Sequence, residues 1–407
     1  MTELANFLQF ADWPPRADWL FWAALILVVA GLLGEAVYRR LGLPRVIGYG
    51  AVGMLLTLSG HGLFAGGALD ARLRLIVDLA LALLLFEMGS RVNLGWLRHN
   101  KALWLASLAE ALFSGSAVGV LLWLLGLSPL MALSCAVLTL AASGAVIGRV
   151  GAELKAAGQV SERMLVLTAL NTLYAVLAHK LLLGWLQLDS RGDWLEALAQ
   201  PLYAFVGSVL VAWLLAKLIA LLMRRLDLRD ENSVLMLLGL VLLALSVARG
   251  LNLSTLLVPL LAGVILRNTT QRPWVWPRHF GTAGGALVLL LFVVVGSAWT
   301  LQALAAGALV AAALLATRLV AKGLALVGLA RLSGLDARQG LALAVCLSPI
   351  SGSTLVLYSE IQSRHPELAA QLAPVILSAI ALMELAGPIA VQWGLRLAGE
   401  QQPGASR

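Results

Sequence analysis

Several ionisable residues stand inside long runs of Leu, Ala and Val, where a charge needs a partner or a purpose: Glu110, His179, Lys180, Arg318, Lys322 and Glu384. In a bilayer each central charge costs roughly 2.5–3.5 kcal/mol or more, so one that survives marks an ion path, a proton relay or a buried pair. Lys322 can titrate or pair; the plain alternative is that it snorkels to an interface. Arg318 lies one turn earlier, stays charged, and must meet a partner or water. Glu384 is the most central carboxylate, and it can neutralise Arg318 or Lys322 or carry a proton itself. Glu110 has the same two readings. His179 and Lys180 are adjacent, and a histidine titrates near physiological pH; the plain alternative is that both reach an interface. Lys217 reads as a snorkelling side chain, and Glu87 as the i,i+4 partner of Arg91.

Two small, polar stretches interrupt apolar runs. One is Ala142-Ser143-Gly144-Ala145; the other is Ile350-Ser351-Gly352-Ser353, preceded by Ser348-Pro349. If each breaks a helix, the carbonyls set free suit Na⁺ or K⁺, while the positive helix N-termini attract anions. Ser143 and Ser351 are therefore candidate ion-binding positions. The alternative is that Ser-Gly only lets helices pack closely. Cys, His and Ser occur without the mutual spacing that nucleophilic or metal chemistry needs, so no enzyme and no cofactor is indicated. Cys135 and Cys346 read as small buried residues.

These residues need a membrane to position them. Hydrophobic residues make up 60% of the 407 and charged ones 12%, with a mean hydropathy of +0.91. A soluble domain carries about 25% charged residues. The apolar runs lack strand alternation, so an all-α polytopic protein is expected. Spans are expected near 18–38, 45–60, 72–90, 102–125, 129–150, 164–187, 197–223, 233–249, 253–268, 284–301, 303–330, 338–360 and 368–395, with the shorter ones either misjudged at their ends or broken. With about thirteen spans, the N-terminus outside and the C-terminus in the cytoplasm, nineteen of the 29 Lys and Arg fall on the cytoplasmic side and six on the other, as the positive-inside rule requires. In a membrane protein the position of Lys and Arg matters more than the net charge of +8, which is therefore no nucleic-acid signal. Met1–Arg16 has no cleavable signal pattern, so the first span reads as a retained anchor. The tail after Arg396 is polar and reads as disordered. No connection is long enough for a second domain, so 1–407 is one transmembrane unit. The two Ser-Gly stretches lie seven spans apart, which makes their helices antiparallel. Spans two to six and nine to thirteen then form an inverted repeat with a broken helix in each copy.

Five motifs resemble those of bacterial monovalent cation:proton antiporters of the Kef-type branch. They are Leu43-Pro44-Arg45-Val46-Ile47-Gly48-Tyr49, Leu83-Leu84-Leu85-Phe86-Glu87-Met88-Gly89, Leu261-Ala262-Gly263-Val264-Ile265-Leu266, Phe292-Val293-Val294-Val295-Gly296 and Glu384-Leu385-Ala386-Gly387-Pro388. Their order and spacing cover nearly the whole chain. The resemblance implies two crossed broken helices in a core near 102–187 and 303–395. This core moves like an elevator against a dimer-forming scaffold near 18–90 and 197–301, in the bacterial inner membrane. It implies monovalent cation and proton as partners, and it makes Lys322 the core lysine that faces an acidic sixth span. Here the sequence departs: Asn171 and Thr172 stand where the family's carboxylates are expected. Both can coordinate a cation through oxygen, but neither titrates.

Three functions are compatible with these residues. One is cation:proton antiport with a non-standard site. Another is transport of a different solute, such as an anion, because without the sixth-span acid Lys322 and Arg318 leave the core cationic. The third is a non-transporting membrane sensor or partner subunit.

Overall fold

A computed structural model describes residues 19–60, 64–65, 68–69, 71–191, 194–225, 231–270 and 280–401. The expectations for Met1–Arg16 and for most of the polar tail fall outside them. Apart from one antiparallel pair of two-residue strands, Phe64–Ala65 with Ala68–Leu69, the elements are helices. They are α1 (Trp19–Ala36), α2 (Arg45–Leu58), α3 (Ala71–Arg91), α4 (Lys101–Leu124), α5 (Pro129–Leu138), α6 (Gly144–Glu153), α7 (Gln159–Arg191), α8 (Trp194–Arg225), α9 (Glu231–Gly250), α10 (Leu257–Thr269), α11 (Phe280–Gly296), α12 (Leu301–Gly328), α13 (Ala337–Cys346), α14 (Gly352–Arg364) and α15 (Pro366–Ala398). A further short helix, Leu94–His99, starts at Asn93, whose side chain accepts from Trp96 N; it lies between the expected spans.

The helices fall on the expected apolar stretches. Six stretches of the described residues are long and apolar enough to cross a membrane: Phe21–Leu41, Lys101–Leu124, Gln159–Leu186, Ala199–Leu222, Leu301–Gly328 and Pro366–Ala398. The short helices α2 and α10 are continuous, so their brevity is not a break. Large apolar side chains such as Leu112, Trp123, Leu210 and Leu309 point away from the protein, as side chains that face lipid do.

Local sequence sets the helix ends. Asn100 accepts from Leu103 N to open α4. Ser128 accepts from Met131 N to open α5, with Pro129 at the first helical position, where its missing N–H costs nothing. Asp336 and Gln339 form a reciprocal capping box on α13. Gly399, at φ 73°, closes α15.

The expected interruptions are present. The chain leaves α5 at Leu138 and resumes helix at Gly144, with Ser143 Oγ accepting from Val146 N at 3.3 Å. It leaves α13 at Cys346 and resumes at Gly352; Pro349, which has no N–H and clashes with the preceding turn, cannot continue the helix. The two interruptions touch: Ser143 N donates to Pro349 O at 2.8 Å, and Thr354 Oγ1 donates to Leu138 O at 3.1 Å.

Packing places the rest. α12 lies between α4 and α15, and α3 lies against α10. The α3–α10 approach is so close that a Cβ on Gly89 would stand 2.1 Å from Leu260 O, and one on Gly263 would stand 2.2 Å from Phe86 O. Only glycine fits either place.

Candidate ion-binding site

The interruptions leave helix C-terminal carbonyls unsatisfied in the interior. Arg318 of α12 takes three of them. Its Nε donates to Thr139 O at 2.7 Å, Nη2 to Ala141 O at 3.2 Å, and Nη1 to Ser348 O. The guanidinium is 1% exposed. It thus binds the ends of both α5 and α13, where the helix dipoles are negative. Arginine suits this because its donors are fixed in a planar fork. Arg318 therefore needs no carboxylate, which corrects the expected pairing with Glu384.

Lys322, one turn further on, forms an ion pair with Glu110 of α4, and both side chains are fully buried. Asn171 of α7 joins them: its Nδ2 donates to Glu110 Oε1 at 3.5 Å. Thr172, also fully buried, spends its hydroxyl proton on Thr168 O at 2.9 Å, which leaves its oxygen lone pairs as acceptors. Glu110 Oε2 and Asn171 Oδ1 are buried and find no hydrogen-bond partner among the described residues. The carboxylate that Lys322 meets thus comes from α4, while α7 brings an amide and a hydroxyl. A lysine, a carboxylate and an amide meet beside the interruptions, with two oxygens unengaged.

Residues 24–396 match the family described as sodium/hydrogen exchanger, transmembrane. The chain belongs to that family. It is accordingly a multi-pass membrane protein of the cation/proton antiporter class. Two structures of the sodium proton antiporter from Methanocaldococcus jannaschii share its fold. One, at pH 8, has a TM-score of 0.68, and the other, an electron-microscopy map, has 0.71. Each is 16% identical and covers 94% of this chain and 98% of its own. At that identity the likeness concerns the fold alone.

The remaining candidates of this exchanger-family chain divide into two groups. Glu384 of α15 is fully buried, and its Oε2 accepts from Ser351 Oγ at 3.1 Å. It meets neither Lys322 nor Arg318. Ser143 and Ser351 both lie at the interruptions, one as a cap and one as the Glu384 donor. His179 and Lys180 form a separate cluster. Lys180 Nζ donates to Glu360 Oε1 at 2.5 Å, and His179 Nε2 lies 3.3 Å from Glu360 Oε2. His179 is fully buried and Lys180 is 8% exposed, and both side chains face Glu360. Lys217 is exposed and stands over the Trp213 ring at 5.7 Å. Glu87 pairs with Arg91 at 3.1 Å.

Sequence reasoning missed three acids. Glu360 ends an apolar run and looks like an interfacial residue; only folding brings α14 to α7. Asp78 of α3 pairs with Arg249 of α9. Glu153 of α6 accepts from Arg45 Nη1 at 2.9 Å, while Arg45 Nε donates to Glu35 at 2.8 Å. Asp78 and Glu153 have no local sequence signal, because their partners lie on other helices; Glu360 has Arg364 at i+4, but its contact with Lys180 exists only in the fold. A cleft of about 920 Å³ opens at the Arg74 end of α3, lined by Arg74, Asp78, Arg249 and Glu360. At the opposite end, beside Glu87 and Arg149, the cavities hold only about 110 and 120 Å³.

Proposed function

We propose that this protein is a secondary active transporter that exchanges Na⁺ or K⁺ for protons across a bacterial inner membrane, as a Kef-type antiporter with a non-standard site. The observation that carries the proposal is the buried Lys322–Glu110 pair with Asn171 beside it. A lone buried charge is costly, and this pair is positioned to be broken and remade. An incoming cation binds Glu110 Oε2, Asn171 Oδ1, Thr172 Oγ1 and carbonyls freed near Ser143 and Ser351. It displaces the Lys322 ammonium, and burial without a counter-ion disfavours the charged form, so Nζ passes its proton to a water molecule on the open side and keeps the electron pair. When the cation leaves, Lys322 recovers a proton and the pair reforms. The net charge of the site is the same in both states.

Access alternates in this proposal. α4 to α7 and α12 to α15 form a moving core with crossed broken helices and inverted-repeat symmetry; α1 to α3 and α8 to α11 form the scaffold of a homodimer. With the N-terminus outside, the cleft at Arg74 faces outward and the small cavities face the cytoplasm. The Arg45–Glu153 bridge then joins scaffold to core on the closed side. The anion alternative loses its motive, because Glu110 neutralises Lys322 and backbone carbonyls satisfy Arg318. In proteoliposomes carrying a pH gradient, Na⁺ or K⁺ is expected to dissipate the gradient and choline is not. Uptake of an anion without any cation effect, or no flux at all, would sink the proposal.

A further inference from the structure

We propose that Glu384 is a second proton-binding carboxylate of the exchange cycle, taking up and releasing a proton as α15 moves past α2. The proposal rests on the antiport function above and adds a residue that the Lys322–Glu110 exchange does not use.

Glu384 is fully buried, and only one of its oxygens is engaged, by Ser351 Oγ at 3.1 Å. Oε1 is buried and has no hydrogen-bond partner among the described residues. Among the described residues no cation pairs with it; on α7, Arg163 donates to Ser333 O and Lys180 pairs with Glu360. On α12, Lys322 is held by Glu110 and Arg318 by three carbonyls. On α2, Arg45 pairs with Glu35 and with Glu153 of α6. Arg149 of α6, Tyr49 of α2 and Arg338 of α13 make no ion pair with it, and on α14 Glu360 is occupied by Lys180 and Arg364. α5 brings only Cys135, and α11 brings no titratable residue. The large majority of buried polar side-chain atoms find a hydrogen-bond partner, and one that does not calls for an explanation, such as a bound proton. An ionised one held by a single hydroxyl costs several kcal/mol, whereas the neutral acid is tolerated.

The position gives that proton somewhere to go. The backbone of α2 presses against the carboxyl group at Gly50, where a Cβ would stand 2.8 Å from Glu384 Cγ. α2 belongs to the proposed scaffold and α15 to the proposed core, so Glu384 lies on the surface across which they slide. Displacing α15 along α2 carries the carboxyl group away from Gly50 and toward water. There Glu384 Oε1–H transfers its proton to a water molecule, and the bonding pair stays on the carboxylate. The reverse step takes a proton from water on the other side. Since the Lys322–Glu110 exchange keeps its own charge constant, this proton is an additional one.

The experiment measures protons moved per cation in proteoliposomes, from the pH and cation gradients that balance at a fixed membrane potential. Wild type is expected to move one proton more per cation than E384Q, and E384D is expected to keep the wild-type ratio. In parallel, dicyclohexylcarbodiimide, which attacks protonated carboxyls in apolar surroundings, is expected to modify Glu384 at mildly acid pH and not at alkaline pH, as read by peptide mass. An E384Q ratio equal to wild type overturns the proposal, and so does an unmodified Glu384 in folded wild-type protein. If wild type shows no cation-dependent flux, the antiport function fails instead, and the labelling still decides whether Glu384 exchanges a proton. If E384Q does not fold, the labelling decides.

Discussion

The Lys322–Glu110 pair makes a quantitative prediction for Glu110→Gln. Both side chains are fully buried, so the variant leaves an ammonium without its counter-ion. Breaking a buried pair from one side costs about 3–5 kcal/mol. A second route gives the same scale. Neutralising a lysine of ordinary pKa near 10.4 at neutral pH costs about 1.36 kcal/mol per pH unit, or roughly 4–5 kcal/mol. With an unfolding entropy of about 2.1 cal/mol/K per residue, a loss of 4 kcal/mol lowers the midpoint of a chain this long by roughly 5 °C. Thermal unfolding in detergent reads this shift, and proteoliposome flux reads the loss of exchange. The control is the double variant Glu110→Gln with Lys322→Met. Replacing a whole buried pair by neutral side chains is close to neutral for stability, so the double variant is expected to regain most of the midpoint and none of the transport. Wild-type flux in Glu110→Gln would refute the reasoning. A double variant as unstable as the single one would show that the pair is not the source of the loss.

Three further outcomes are expected. Thr172→Asp places a carboxylate on α7 beside Asn171 and is expected to create or increase cation-dependent proton flux; unchanged flux would count against placing the exchange site there. Arg318→Lys keeps the charge, but its single Nζ cannot reach all three carbonyls, which Nε, Nη1 and Nη2 take separately. With each hydrogen bond to a charged group contributing about 1.5–3 kcal/mol, loss of two is expected to lower the unfolding midpoint by several degrees and abolish flux, checked by the same two assays. Arg45→Gln frees Glu153 and removes roughly 1 kcal/mol from the closed side. It is expected to raise thiol-reagent labelling of a cysteine placed at Gly148 about fivefold, and no change would remove the bridge as a gate.

The helices were legible because lipid leaves a coarse imprint. A segment with no water to bond its backbone must be helical and apolar over its length, and runs of Leu, Ala and Val show this without any partner. The interruptions at 139–143 and 347–351 were legible for a related reason. Ser, Gly and Pro weaken a helix through their own backbone chemistry, so the weakness is local. The motif glycines belong to the same class: Gly89 and Gly263 mark the place where α3 and α10 touch backbone to backbone.

Charge pairing is where the sequence stopped. It isolated Lys322, Arg318, Glu110 and Glu384 as expensive residues but could not say which satisfies which. The expectation that Glu384 serves Arg318 or Lys322 gave way to Glu110 for Lys322 and to backbone carbonyls for Arg318. Glu360 was missed altogether. What the sequence determined by itself is that buried charges must be compensated, because desolvation is a property of each residue in its own run. What the tertiary structure alone decided is by whom, because ion pairing falls off over a few ångströms and those ångströms are set by how α4, α7 and α12 pack, not by their separation along the chain.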